Sequence, residues 1–306
     1  MKQQKQKTTN NSVSATPADA AEGFEFTERT IDAGDVKLHI VEAGEGPLVV
    51  LLHGFPEFWY AWRRQIPVLA AAGYRVVAPD LRGYNLSDKP RGVRAYGIDR
   101  LVADVDGIIT ACGVERAAVV GHDWGAMIAW VFAMTRPHRV ERVAALNGMH
   151  PVAFRSAMGD LSHLRKTWYG LLFQIPVLPE ILLRARDFSW LRRIYAGRMS
   201  PEGPALQAYE EAWAEAMSRP GALTAMLNYY RGAGVMMRFL KFATRPVEAP
   251  SMLIWGEQDP LNIKIALPTE RWAPDLEVAS LADAGHWPHS DQPESVNAAL
   301  LRFLRR

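Results

Sequence analysis

The stretch Val119–Trp130 reads VVGHDWGAMIAW. An apolar run ends in Gly121-x-Asp123-x-Gly125, and a second apolar run follows at once. The related pattern G-x-S-x-G marks a sharp strand-to-helix turn that lifts a serine nucleophile above a sheet edge. The same punctuation here predicts a strand up to Asp123, a tight turn, and a helix after it, with a carboxylate at the apex. A carboxylate facing a helix N-terminus meets N–H groups that keep it ionised. An ionised carboxylate can attack carbon, and the resulting ester must be hydrolysed for turnover. That step needs a base to activate water and a partner to orient the base. The plainer reading of Asp123, a helix N-cap, needs neither.

Outward from this turn the chain alternates between two periodicities. PLVVLLHGFP (Pro47–Pro56) is a short continuous apolar run stopped by glycine and proline, as in a strand buried on both faces. YRVVAPDLRG (Tyr74–Gly83), AAVVGHD (Ala117–Asp123), VAALNG (Val143–Gly148), SMLIWGE (Ser251–Glu257) and LEVASLADAGH (Leu276–His286) repeat the scheme, and VKLHIVEAG (Val36–Gly44) alternates like a strand. Amphipathic stretches of helical length, Trp59–Ala72, Ile98–Cys112 and Ala126–Thr135, separate the early runs. The expectation is an α/β fold with a mostly parallel central sheet flanked by helices. Between His150 and Pro246 the buried-strand pattern stops. This span is rich in Trp, Tyr, Leu and Arg and broken by prolines, as expected of an all-helical cap inserted after the sixth strand. The expected organisation is a disordered tail over 1–24, a core domain over 25–149 and 247–306, and a helical cap over 150–246.

Two residues complete the chemistry that Asp123 demands. LIWGEQDP places Asp259 just past a strand end, and DAGHWPH places His286 just past the last one. The order nucleophile, acid, histidine follows the chain order of G-x-S-x-G enzymes. In a parallel sheet all three loops meet at one edge. Asp259 could be a turn residue before Pro260, and His289 is a rival to His286 that reads as a surface residue. The backbone N–H groups of Phe55, in HGFP, and of Trp124 would face the Asp123 ester as an oxyanion hole. His53 and His122 read as structural residues that hydrogen-bond loop backbone.

Bulk properties bound the remaining possibilities. The 306 residues are 49% hydrophobic and 22% charged, with a net charge of +2 and no clustered basic stripe, so nucleic acid is not an expected partner. The densest basic stretch, LLRARDFSWLRRIYAGR (Leu182–Arg198), reads as the wet face of amphipathic helices. The single cysteine, Cys112, permits no internal disulfide and reads as a small buried hydrophobe in a reducing, cytoplasmic setting. The N-terminal stretch lacks the apolar core of a signal peptide, and no run of about 18 apolar residues suggests membrane insertion. Histidines are not paired at i, i+4, and neither a Cys/His cluster nor a dinucleotide fingerprint occurs, so no metal and no cofactor is expected.

Four segments carry a resemblance: HGFPEFWYAWRRQIP (His53–Pro67), DLRGYNLSDKP (Asp80–Pro90), GHDWGA (Gly121–Ala126) and GHWPHSDQP (Gly285–Pro293). With them the chain, from about Glu25 onward, resembles the epoxide hydrolase family of the α/β-hydrolase superfamily. The second segment holds that family's G-x-small-x-Ser pattern as Gly83-Tyr84-Asn85-Leu86-Ser87. The resemblance implies the α/β-hydrolase fold and two cap tyrosines that donate to the epoxide oxygen. TWYGLLFQIPVLPE places the first at Tyr169. MLNYYRG places the second at Tyr230, with Tyr229 as its rival. A phenol suits this task because it can bond the ring oxygen and then release its proton as alkoxide charge develops. The implied reaction converts a small apolar epoxide and water to a vicinal diol, a detoxifying step, in a monomer or homodimer. Phe55, Trp124, Tyr229 and Trp287 are expected to line the pocket. Of the cap residues Trp168, Phe173, Trp190, Trp213, Met217 and Met236, most are expected to pack and some to line the pocket as well.

The alternative is a haloalkane or haloacid dehalogenase with the same nucleophile, in which Trp124 could bind halide. Phe55 after His-Gly, Trp124 after the nucleophile and Asn147 after the sixth strand argue against it, and two cap tyrosines would then have no role. A non-catalytic binding protein would not need the Asp/Asp/His set, and an esterase would need serine at the elbow.

Overall fold

The computed structural model describes residues 25–157, 165–195, 204–232, 245–261, 263 and 270–306. The expected tail and Met236 lie outside them. The strands are β1 (Thr27–Asp32), β2 (Lys37–Ala43), β3 (Leu48–Leu52), β4 (Arg75–Pro79), β5 (Ala117–His122), β6 (Val140–Leu146), β7 (Ser251–Gly256) and β8 (Leu276–Leu281). They form one sheet in the order β1-β2-β4-β3-β5-β6-β7-β8. The β1–β2 and β2–β4 pairs are antiparallel and the others parallel. The strand β1, TERTID, escapes a reading by apolar runs because it is a polar edge strand with one buried residue.

Every residue of β3 and of β5 is buried, as expected of strands covered on both faces. The covering helices include α1 (Ile66–Ala71), α2 (Ile98–Ala111) and α3 (Trp124–Thr135). The expected single helix over Trp59–Ala72 is instead a 3-10 turn, Trp59–Trp62, followed by the short α1. Pro67 in the first turn of α1 explains the break, because proline has no N–H to continue an earlier helix.

All described elements between β6 and β7 are helical. They are α4 (Pro151–Ala157), α5 (Tyr169–Leu172), α6 (Leu178–Tyr195, kinked at Ala185–Phe188), α7 (Pro204–Ser218) and α8 (Ala222–Gly232). They sit over the carboxyl ends of the parallel strands, and hydrogen bonds tie them there. The Trp213 indole donates to the Pro56 carbonyl, the Tyr229 hydroxyl to the Arg82 carbonyl, and Arg219 to Asn85 Oδ1. The chain closes with α9 (Pro288–Asp291) and α10 (Pro293–Leu304). Among the described residues no helix is long and apolar enough to cross a membrane.

Candidate active site

The elbow is built by close packing. Asp123 has φ 51° and ψ −115°, a strained conformation for a residue other than glycine. The turn is tolerated because its glycines leave room. A Cβ on Gly125 would lie 2.1 Å from the Leu52 carbonyl oxygen, and one on Gly121 would lie 2.3 Å from backbone atoms of Gly125. Asp123 is thereby held at the head of α3, beside the loop that follows β3. The Phe55 N–H donates to Asp123 Oδ1 at 2.9 Å. Trp124 is the first residue of α3, where N–H groups have no acceptor within the helix.

The other carboxylate oxygen, Oδ2, faces His286 Nε2 at 3.7 Å. His286 Nδ1 donates to Asp259 Oδ2 at 2.7 Å. Asp259 also accepts from the Leu261 N–H at 2.7 Å and from Asn147 Nδ2 at 2.6 Å. Burial alone would lower the His286 pKa. The charge of Asp259 and the contacts with Asp123 and Asp259 outweigh it and hold the imidazole well above its ordinary value. Burial likewise pushes Asp259 up, but His286 and the donated hydrogen bonds prevail and keep its carboxyl below the usual range.

Asn147 escaped the sequence reading as a positioning group. It follows β6 with φ 39°, accepts the Gly256 N–H through Oδ1 and donates to Asp259 through Nδ2. It thus ties the triad acid to the end of β7. A lone asparagine after a strand carries no signal of this in sequence, because its partners lie more than a hundred residues away.

Behind the triad lies a buried polar cluster whose members are scattered along the chain. His289, expected at the surface, is fully buried, and its Nε2 lies 3.1 Å from Glu57 Oε1. Glu57 Oε2 accepts the Gly54 N–H at 3.0 Å and faces His122 Nδ1 at 2.6 Å. His122 Nε2 lies 2.7 Å from the carbonyl oxygen of His286. A carbonyl can only accept, so His122 donates from Nε2. Burial raises the Glu57 pKa, but the neighbouring His122 and His289 outweigh it and hold the carboxyl well below its usual range. His122 was expected to bond loop backbone; it does so and also pairs with Glu57. His53 behaves as expected, since it bonds the Gly54 carbonyl and accepts the Leu81 N–H. No metal was expected, and the structure does bring three metal-ligating side chains together here. Their hydrogen bonds to one another occupy the atoms that face inward.

A cavity of about 300 Å³ opens over Asp123. Phe55, Trp287, Tyr169, Tyr230, Asp259 and His286 all border it, as do Trp168, Phe173, Trp190 and Lys166. Two expected pocket residues do not. Tyr229 is buried with its hydroxyl on the Arg82 carbonyl, because adjacent helical residues point about 100° apart. The Trp124 ring packs against Tyr229 and Tyr230. Of the other cap residues, Trp213 and Met217 are buried packing. Burial, and then the nearby Asp123 charge, raise the phenols of Tyr169 and Tyr230 above their ordinary pKa, so both stay protonated.

A helical cap over a parallel sheet, with an aspartate at the strand-to-helix elbow facing a His–Asp pair, is the architecture of an α/β hydrolase. The family with the α/β hydrolase fold matches residues 47–293. The chain is 42% identical to the AB hydrolase superfamily protein YfhM of Bacillus subtilis (strain 168), over 90% of this chain and 96% of that one. It is 36% identical to epoxide hydrolase A of Mycobacterium tuberculosis, over 91% and 97%. The crystal structure of Bacillus megaterium epoxide hydrolase with an inhibitor superposes with a TM-score of 0.79 at 32% identity, covering 91% of this chain and all of that one. The chain belongs to the epoxide hydrolase family of the α/β-hydrolase superfamily.

Proposed function

We propose that this protein hydrolyses small apolar epoxides to vicinal diols through an ester on Asp123. The observation that carries the reading is the Asp123 carboxylate, 3.7 Å from His286 Nε2, in an aromatic cavity bordered by two protonated phenols. Asp123 Oδ2 attacks a ring carbon and the C–O bond breaks. The alkoxide takes a proton from Tyr169 or Tyr230. Water then loses a proton to His286 and attacks the Asp123 carbonyl carbon, with the Phe55 and Trp124 N–H groups facing the oxyanion. The diol oxygen leaves with the proton from His286, Asp123 emerges as its acid and passes that proton to His286, and the tyrosinate is reprotonated by solvent. Asp259 keeps the imidazole oriented throughout.

The raised pKa of His286 gives the two steps an order. In the resting site two carboxylates hold the imidazole protonated. Ester formation removes the Asp123 charge, the His286 pKa falls, and the imidazolium gives its proton to solvent, so that it is neutral when water attacks.

The dehalogenase reading gains nothing from the site. Its halide-binding candidate, Trp124, is not among the residues that border the cavity, and the two phenols would serve no step. The test offers styrene oxide in one arm and haloalkanes with fluoroacetate in the other. Diol without halide is the expected result. In parallel, His286→Gln should accumulate a protein adduct of substrate mass and Asp123→Ala should accumulate none. Halide without diol, or a His286→Gln enzyme that turns over without an adduct, overturns the scheme.

A further inference from the structure

The cap carries an apolar surface turned outward. Helices of globular proteins bury their i, i+3, i+4 apolar stripe. In α6 the residues at that spacing, Leu178, Ile181 and Leu182, are all exposed, Ile181 by 61%. The segment before it does the same, with Trp168, Leu171 and Ile175 at i, i+3 and i+7 exposed and Leu171 at 74%. Val177 stands in the turn between them. That turn is rigidly seated: Arg231 donates to the Phe173 and Ile175 carbonyls and pairs with Glu180. Of the ten large apolar residues exposed among the described residues, eight fall between Trp168 and Trp190. A patch of this kind on a soluble chain marks a contact surface.

The charges around it select the partner. Arg165, Lys166, Arg184, Arg186 and Arg193 are exposed on the same segments, and none pairs with an acid among the described residues. The acids of these segments, Glu180 and Asp187, are already paired, with Arg231 and Arg192. A symmetric contact between two copies would bring these cations face to face. An anionic lipid surface offers apolar depth beneath negative charge. Trp168 and Trp190 fit the same boundary, where indoles concentrate.

We propose that this cap face docks onto anionic bilayers, with its aliphatic side chains in the headgroup–acyl boundary and its cations against lipid phosphates. The contact is peripheral. Trp168 and Trp190 border the catalytic cavity and are also exposed, so docking through the cap sets the cavity mouth near the membrane, where apolar substrates partition.

The test is co-flotation of the full chain with vesicles of phosphatidylcholine alone or with about a third phosphatidylglycerol. Binding is expected only with the anionic lipid, with a blue shift of tryptophan fluorescence and release by salt. The Leu171→Glu/Ile181→Glu variant should partition at least about tenfold less, and each of Arg184→Ser and Arg193→Ser about fivefold less. Neither Leu171 nor Ile181 borders the cavity, so hydrolysis of a water-soluble epoxide and the melting temperature check that the variants are folded. No binding of the natural chain to either vesicle overturns the proposal, and that result requires no variant to fold. Equal binding by the Leu171→Glu/Ile181→Glu variant overturns it too. So does a dimer in sedimentation that Ile181→Glu disperses while vesicles stay unbound, since a second copy would then be the occupant.

Discussion

At the scale of single residues, the site works by holding one carboxylate in two relationships. Phe55 binds Oδ1 of Asp123, while Oδ2 is left toward His286. In the proposed mechanism this asymmetry separates the oxygen that becomes the ester carbonyl from the one that attacks. It also makes the charge of His286 depend on Asp123. In Asp123→Asn one of the two anions that hold the imidazole protonated is gone, while Asp259 remains 2.7 Å from Nδ1. The His286 pKa should therefore fall in the variant, read by NMR titration of labelled histidine against the natural protein. An unchanged His286 titration would remove the account of how the base is released. That Asp123, Asp259 and His286 come together was legible in sequence because each follows a strand end with glycine or proline within two residues. The residues that orient them were not. Asn147, Glu57 and His289 act through hydrogen bonds that join distant segments, and nothing near them in sequence marks the partner.

At the scale of elements, strands buried on both faces were legible because continuous apolar runs have few other uses. The strand β1 was not, because an edge strand with one buried residue has no such run. Its attachment is partly electrostatic. His39 on β2 bonds Asp80 beyond β4 at 2.8 Å and faces Glu28 on β1 at 3.4 Å. Burial lowers the His39 pKa, but the hydrogen bonds to Asp80 and Glu28 outweigh it and raise it to about 9. A folded-state pKa above the unfolded one contributes stability that is complete below the unfolded value, about 6.5. It is lost as pH rises through about 9. The contribution is at most about 3 kcal/mol, from the distance between the folded and unfolded values. Melting temperatures of the natural protein and His39→Gln should therefore differ most near pH 6 and converge toward pH 10. A constant gap across that range would mean that His39 contributes by packing alone.

At the scale of the whole molecule, the cap and core meet at two adjacent tyrosines with opposite duties. Sequence placed both in MLNYYRG and could not tell which faces the chemistry, since a one-residue shift on a helix turns the side chain by about 100°. In the structure Tyr230 borders the cavity, and Tyr229 fastens α8 to the core through the Arg82 carbonyl. Their phenylalanine variants should separate rate from stability. Tyr229→Phe leaves a buried carbonyl without its donor, so it should cost about 1–2 kcal/mol in denaturant unfolding. Its pre-steady-state rate of ester formation should stay within about twofold of the natural protein. Tyr230→Phe should unfold at nearly the same denaturant concentration yet slow ester formation by about tenfold to a hundredfold, the scale of one general acid when Tyr169 remains to share the task. The reverse pattern would exchange the two roles, and with them the orientation of α8 over the active site.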